Sequence, residues 1–151
     1  MEWLSGFGWI DYNPVRPDIK KARRADDWWI VLNVPGDICK YYTWWMQQEK
    51  GISLQLPVWK PHITVLNGRI PVAEKYQDAW KKHQGEKIYF EYSPVISNNW
   101  KFWWLQVRSN RIQEIRQELG FDTNLDIHLT IGREFEIEPN LETIQHGLQL
   151  Q

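Results

Sequence analysis

The tetrapeptides His62-Ile63-Thr64-Val65 and His128-Leu129-Thr130-Ile131 decide how this chain is read, since nowhere else is a histidine followed two residues later by a threonine. Four His and five Thr scattered over 151 positions give far fewer than one such pair by chance. Each tetrad has the β-branched, apolar character of a strand. Residues two apart in a strand point to the same face, about 6.5–7 Å apart along it. Each tetrad therefore aims one imidazole and one hydroxyl at one surface. Ile63, Val65, Leu129 and Ile131 face the other way, into apolar packing. If the two strands are neighbours, a single cleft carries two His and two Thr.

Working outward, residues 28–34 (WWIVLNV) read as a buried strand ended by Pro35-Gly36, with Asp37 as a helix N-cap. Ile38, Tyr41, Tyr42, Trp45 and Met46 follow the spacing of an amphipathic helix that Gly51 stops. The first tetrad strand closes at Asn67-Gly68, and residues 72–84 predict a second helix. Strands over 87–96 and 100–107, joined through Ser97-Asn98-Asn99, predict an antiparallel pair. Ser109 caps a helix that Gly120 terminates, and the second tetrad strand follows at 127–131. Residues 1–25 lack periodicity and read as an N-terminal arm carrying a basic run at Arg16, Lys20, Lys21, Arg23 and Arg24. Residues 134–151 read as an acidic C-terminal tail with a short helix from Leu141. Strand and helix are twice followed by a tetrad strand, so the halves look like copies of each other. The alternation of elements implies a sheet covered by helices, of α/β or α+β class.

A length of 151 residues corresponds to one domain spanning 1–151, large enough to hold a core without staples. Cys39 is the sole cysteine, so no internal disulfide forms. A net charge of −1 from 18 basic and 19 acidic residues excludes the uniformly basic body of a non-specific duplex binder. No secretory signal and no run of eighteen apolar residues is visible, which leads to the expectation of a cytoplasmic protein with no membrane span. The compositional outlier is aromatic: 11 Trp, 6 Tyr and 5 Phe, a content that suits both an indole-rich core and base-stacking surfaces.

Two histidines with ordinary pKa near 6.5 can divide labour at neutral pH, one accepting a proton and the other donating one. Two hydroxyls add donors for an oxygen-rich group between them. A phosphodiester fits that arrangement, and it needs no metal or other cofactor. Other readings are two strand histidines satisfied by backbone, or a zinc site made with Asp126, although no HExxH or paired-Cys spacing supports the latter. His83 and His146 lack the motif and read as surface residues. Tyr12, Trp100 and Trp104 are candidates for nucleobase stacking, with Trp100, Phe102 and Trp104 sharing one strand face. Trp28, Trp29, Trp44, Trp45 and Trp80 are assigned to the core or to helix–sheet contacts. Lys60 shares the face of His62 and is a phosphate ligand on geometry. Arg133 falls on the opposite face unless the Gly132 bend re-aims it, and Asp126 could orient His128.

The paired tetrads, 66 residues apart in a small duplicated domain, resemble the 2H phosphoesterase superfamily over about residues 28–133. Its members include RNA 2′,3′-cyclic phosphodiesterases, 2′-5′ RNA ligase-like proteins and phage anti-CBASS phosphodiesterases. The resemblance implies an α+β fold with two antiparallel sheets around a central cleft and helices outside. It implies His62 and His128 as the acid/base pair, in an order left open, with Thr64 and Thr130 holding the phosphate. The compact size, the run from His128 to Arg133 and the aromatic load look most like the anti-CBASS branch. That branch implies cleavage of 3′-5′ cyclic di- or trinucleotide messengers: a ribose 2′-OH attacks, a 2′,3′-cyclic phosphate forms and water opens it. DNA, lacking the 2′-OH, would be excluded as a substrate. The alternatives are a 2′,3′-cyclic phosphate or 2′-5′ linkage phosphodiesterase, a nucleotide sponge that binds without cleaving, or a structural partner protein that presents an aromatic patch.

Overall fold

The computed structural model describes residues 2–15, 28–57 and 59–134. The basic run at 16–24, the tail from 135 and His146 lie outside them. Six strands and two α-helices run in the order β1 (Leu4–Tyr12), β2 (Trp28–Asn33), α1 (Asp37–Lys50), β3 (His62–Gly68), β4 (Lys87–Asn98), β5 (Phe102–Arg108), α2 (Asn110–Glu118) and β6 (Ile127–Arg133), with one short 3-10 helix, Glu74–Ala79, before β4. The architecture is mixed α+β. All six strands pair antiparallel in one closed order, β1-β2-β3-β6-β5-β4, where two separate sheets were expected. The β3–β6 pair joins the strands into one sheet, and β1 closes it, pairing with β2 through residues 9–12 and with β4 through residues 4–9.

β1 also corrects the reading of residues 1–25 as an arm. Its buried positions are Gly6, Gly8, Ile10 and Tyr12, so glycine occupies half of the apolar alternation. Crowding is the cause: a Cβ on Gly8 would lie 2.3 Å from the Asn33 carbonyl oxygen, and one on Gly6 would lie 2.6 Å from the Phe90 ring.

β2-α1-β3 and β5-α2-β6 form two strand–helix–strand units whose tetrad strands are neighbours. One face of the sheet carries the core: Ile30, Leu32, Ile63, Val65, Leu105, Val107, Leu129 and Ile131 pack with Cys39, Tyr42 and Met46 of α1 and Ile112 and Ile115 of α2. The helices are exchanged between the units, α1 lying on β6 and α2 contacting β3. Gly36, with no side-chain cap, precedes α1, and Asp37 is the first helical residue, where its charge suits the helix N-terminus. Ser109 caps α2 as expected, its Oγ accepting from the Ile112 amide.

Three other expectations change. The helix over 72–84 shrinks to the 3-10 turn because Trp80 leaves helical geometry and packs edge-on against Tyr12 and Trp28, at ring separations of 4.9 and 4.8 Å, followed by Lys81 at φ 65°. Trp44 is 57% exposed, since α1 turns Cys39, Tyr42 and Met46 inward and leaves that side to solvent. His83, expected at the surface, has a side chain only 11% exposed. Its Nε2–H donates to Glu118 at 2.7 Å, and its Nδ1 accepts from Arg111, which also holds Glu86 through two bonds of 2.7 and 2.9 Å. No helix among the described residues is long and apolar enough to cross a membrane.

Gly8→Ala is expected to cost about 1–3 kcal/mol, because the Asn33 backbone has no room to yield. Gly36→Ala, whose nearest neighbour is a flexible Lys40 side chain at 3.7 Å, should change stability by less than about 0.5 kcal/mol. Urea denaturation of the two variants checks the contrast.

Candidate active site

β3 and β6 run antiparallel with Ile63 opposite Leu129. That register places His62 opposite Thr130 and Thr64 opposite His128. The four side chains share the face opposite the core, since Ile63, Val65, Leu129 and Ile131 are all buried on the other. Directly opposed residues have Cβ atoms about 4.5–5.5 Å apart, and diagonal neighbours, here the two histidines, about 7–8 Å. Each histidine thus stands beside the threonine of the other tetrad.

Each tetrad strand has a β-bulge immediately after its threonine. Against β2 the register shifts so that Val65 is the extra residue, and against β5 so that Ile131 is. The bulge carbonyls are taken by the helix packed on each. Thr43 of α1 reaches the Ile131 carbonyl at 3.2 Å while also bonding Cys39, and Arg116 of α2 donates to the Val65 carbonyl at 2.7 Å. Cys39, its thiol pushed up to about 12 by burial, donates to the Thr130 carbonyl at 3.5 Å. The second bulge also settles Arg133. The shift moves it opposite Phe102, onto the side of Trp104, as the Gly132 bend allowed.

Each histidine ring bonds the backbone two residues upstream. His62 Nδ1 lies 2.9 Å from the Lys60 carbonyl, which only accepts, so Nδ1 carries a proton. His128 likewise bonds the backbone of Asp126, two residues upstream. Each ring has an indole companion: Trp59 lies 4.6 Å from His62, and Trp104 lies 6.0 Å from His128. His128 is reached by solvent on one side, yet the surrounding protein holds its pKa below the ordinary histidine value through desolvation, partly offset by the Asp126 backbone bond and the Asp126 charge. Neither threonine hydroxyl has a hydrogen-bond partner among the described residues, leaving both to bind a ligand.

Two cavities meet at His128 and Asp126. One, of about 600 Å³, is lined by Asn99, Phe102, Trp104, Gln106, Asp126, Ile127, His128 and Thr130. The other, of about 460 Å³, is lined by residues including Thr64, Asn67, Arg116, Phe121, Asp126 and His128. Trp104 is therefore placed as expected. Trp100 is not in β5: it sits in the preceding turn at φ 67° and is 74% exposed, beside the cavity residue Asn99. Asn99 pins that turn by accepting from the Lys101 and Phe102 amides. Tyr12 is excluded from the site. It is 5% exposed and belongs to the core on the opposite face. Lys60 lies over the Trp59 ring at 5.4 Å and lines a separate depression, so it stands behind the His62 companion. Among the described residues no three His, Cys, Asp or Glu groups converge as metal ligands.

The sequence reading missed Trp59, Asn99, Gln106 and Arg116. Trp59 alone had a local signal, three residues before His62. Comparison of the chain with protein-family models, curated proteins and solved structures finds no match.

The His128 imidazole is expected to titrate below 6.5 when followed by NMR, and Asp126→Asn to lower it further by removing the charge that favours the imidazolium. Because the unfolded chain takes up this proton first, His128 should destabilise the domain as pH falls through about 6.5.

Proposed function

We propose that this chain is a metal-independent phosphodiesterase of the 2H type acting on ribonucleotides, and that its two strand–helix–strand units are the duplicated halves of that fold. The observation carrying the proposal is the crossed quartet in which His62 faces Thr130 and Thr64 faces His128 across adjacent strands. The repeated bulge and the repeated carbonyl bond to each ring support the duplication.

In this reading His128, whose neutral form desolvation favours, takes the proton from a ribose 2′-OH. The 2′ oxygen forms a bond to the adjacent phosphorus while the P–O5′ bond breaks. His62 gives the Nε2 proton to the departing O5′. Thr64 and Thr130 donate to the non-bridging oxygens, whose charge grows in the transition state. In the second step water attacks the 2′,3′-cyclic phosphate, the proton transfers run in reverse, and a 3′-phosphate remains. Holding the 2′-OH in line with phosphorus supplies much of the acceleration. Trp104 and Phe102 give the larger cavity flat apolar walls for a base, and Gln106 and Asn99 supply amide groups to read its edge. The substrates proposed are 3′-5′ cyclic di- or trinucleotide messengers, which would make the protein a phage counter-defence enzyme.

Cyclic 3′-5′ and 2′-5′ oligonucleotides and a 2′,3′-cyclic mononucleotide, incubated in EDTA and resolved by chromatography, test the reading. Wild type should open the 3′-5′ rings and leave 2′-deoxy analogues intact. His62→Ala and His128→Ala should each lose about 10²- to 10⁴-fold in kcat, and Thr64→Val and Thr130→Val about 10²-fold. Cleavage confined to the mononucleotide would instead assign the site to RNA-end processing, and binding without cleavage to a nucleotide sponge.

A further inference from the structure

The second cavity contains a group that the proposed reaction does not use. Arg116 is 8% exposed, and its guanidinium makes two hydrogen bonds, Nη1 to the Val65 carbonyl at 2.7 Å and Nε to the Asp122 carbonyl at 2.9 Å. Both acceptors are neutral backbone oxygens. No carboxylate forms an ion pair with it among the described residues, and burial lowers its pKa, with the Asp122 charge only partly offsetting. A buried cation without a counter-ion is costly. At the matching bulge of β6 no charged group is used: the neutral Thr43 hydroxyl, whose shorter bond is to the Cys39 carbonyl at 2.6 Å, lies 3.2 Å from the Ile131 carbonyl. Arg116 retains three of its five N–H donors, and it lines the cavity shared with Thr64 and His128.

Resting on the phosphodiesterase reading of the quartet, we propose that this cavity is a second phosphate subsite. Arg116 binds a phosphate one nucleotide removed from the scissile group, and the Phe121 ring, 5.7 Å from the guanidinium carbon, walls the subsite. The substrate class is then a nucleotide with at least two phosphates, and a 2′,3′-cyclic mononucleotide fills only half of the site. Asp126, also in the wall, repels an anion, and Arg116 offsets that repulsion within the same cavity.

The test compares binding by calorimetry of 2′-deoxydinucleotides, which the mechanism cannot cleave, with and without a terminal 5′ or 3′ phosphate. In wild type one terminal phosphate should tighten binding about tenfold, which corresponds to about 1.4 kcal/mol. In Arg116→Gln the gain should fall below about twofold. Since Arg116 also holds a backbone carbonyl, Asn67→Asp serves as the second variant. Its carboxylate can still accept from the Arg69 amide, as Asn67 does at 2.9 Å, and it puts a negative charge in the same cavity. Asn67→Asp should abolish the gain without lowering thermal stability. An equal gain in wild type and both variants, or no gain in wild type, overturns the subsite. An Arg116-dependent gain in a protein that cleaves no ribonucleotide upholds the subsite and removes the catalytic reading.

Discussion

β3 and β6 meet along a short antiparallel ladder in which Ile63 faces Leu129, and the geometry of the site depends on that pairing. Side chains alternate between faces, so a slip of one residue would send one tetrad into the core and leave the other without a partner. What holds the register is apolar: Ile63, Val65, Leu129 and Ile131 are all fully buried against the helices. The polar quartet on the opposite face is thus positioned by four aliphatic residues that take no part in its chemistry.

The exchanged helices reinforce this seam. α1 belongs to the first unit and packs on the tetrad strand of the second, and α2 contacts β3 of the first. Thr43 and Arg116 bind the carbonyls that the two bulges leave outside the ladder. A bulge increases local twist and re-aims the residues after it. Here it ends each tetrad at its threonine and carries Arg133 to the side of Phe102. A bulge after the threonine and a helix side chain on the bulge carbonyl occur in both units, with different side chains. At the β3 bulge that side chain is the buried guanidinium of Arg116, and at the β6 bulge it is the Thr43 hydroxyl.

The elements legible in the sequence were those whose signal is local. The tetrad strands, α1 with Gly51 in left-handed geometry at its end, and α2 with its Ser109 cap each depend on nearest neighbours and spacing. Tyr12 and His83 were misread because their environment comes from distant segments. Tyr12 lies against Trp80, and His83 is held between Glu118 and Arg111. β1 was invisible for a related reason. Its core positions at Gly6 and Gly8 are small because Phe90 and Asn33 approach closely, and closeness in space leaves no periodic mark in the chain.

The residues alone were enough to name the chemical groups of the candidate site, two imidazoles and two hydroxyls at a spacing that puts each pair on one strand face. That follows from the period of two in a β-strand, a local rule of backbone geometry. The amino-acid order could not say that the pairs lie crossed on adjacent strands, that one closed sheet replaces two, that desolvation lowers the pKa of His128, or that Arg116 is buried beside it. Those features arise from strand register, burial and close approach between segments far apart in the chain, and such quantities acquire values only once the chain is packed.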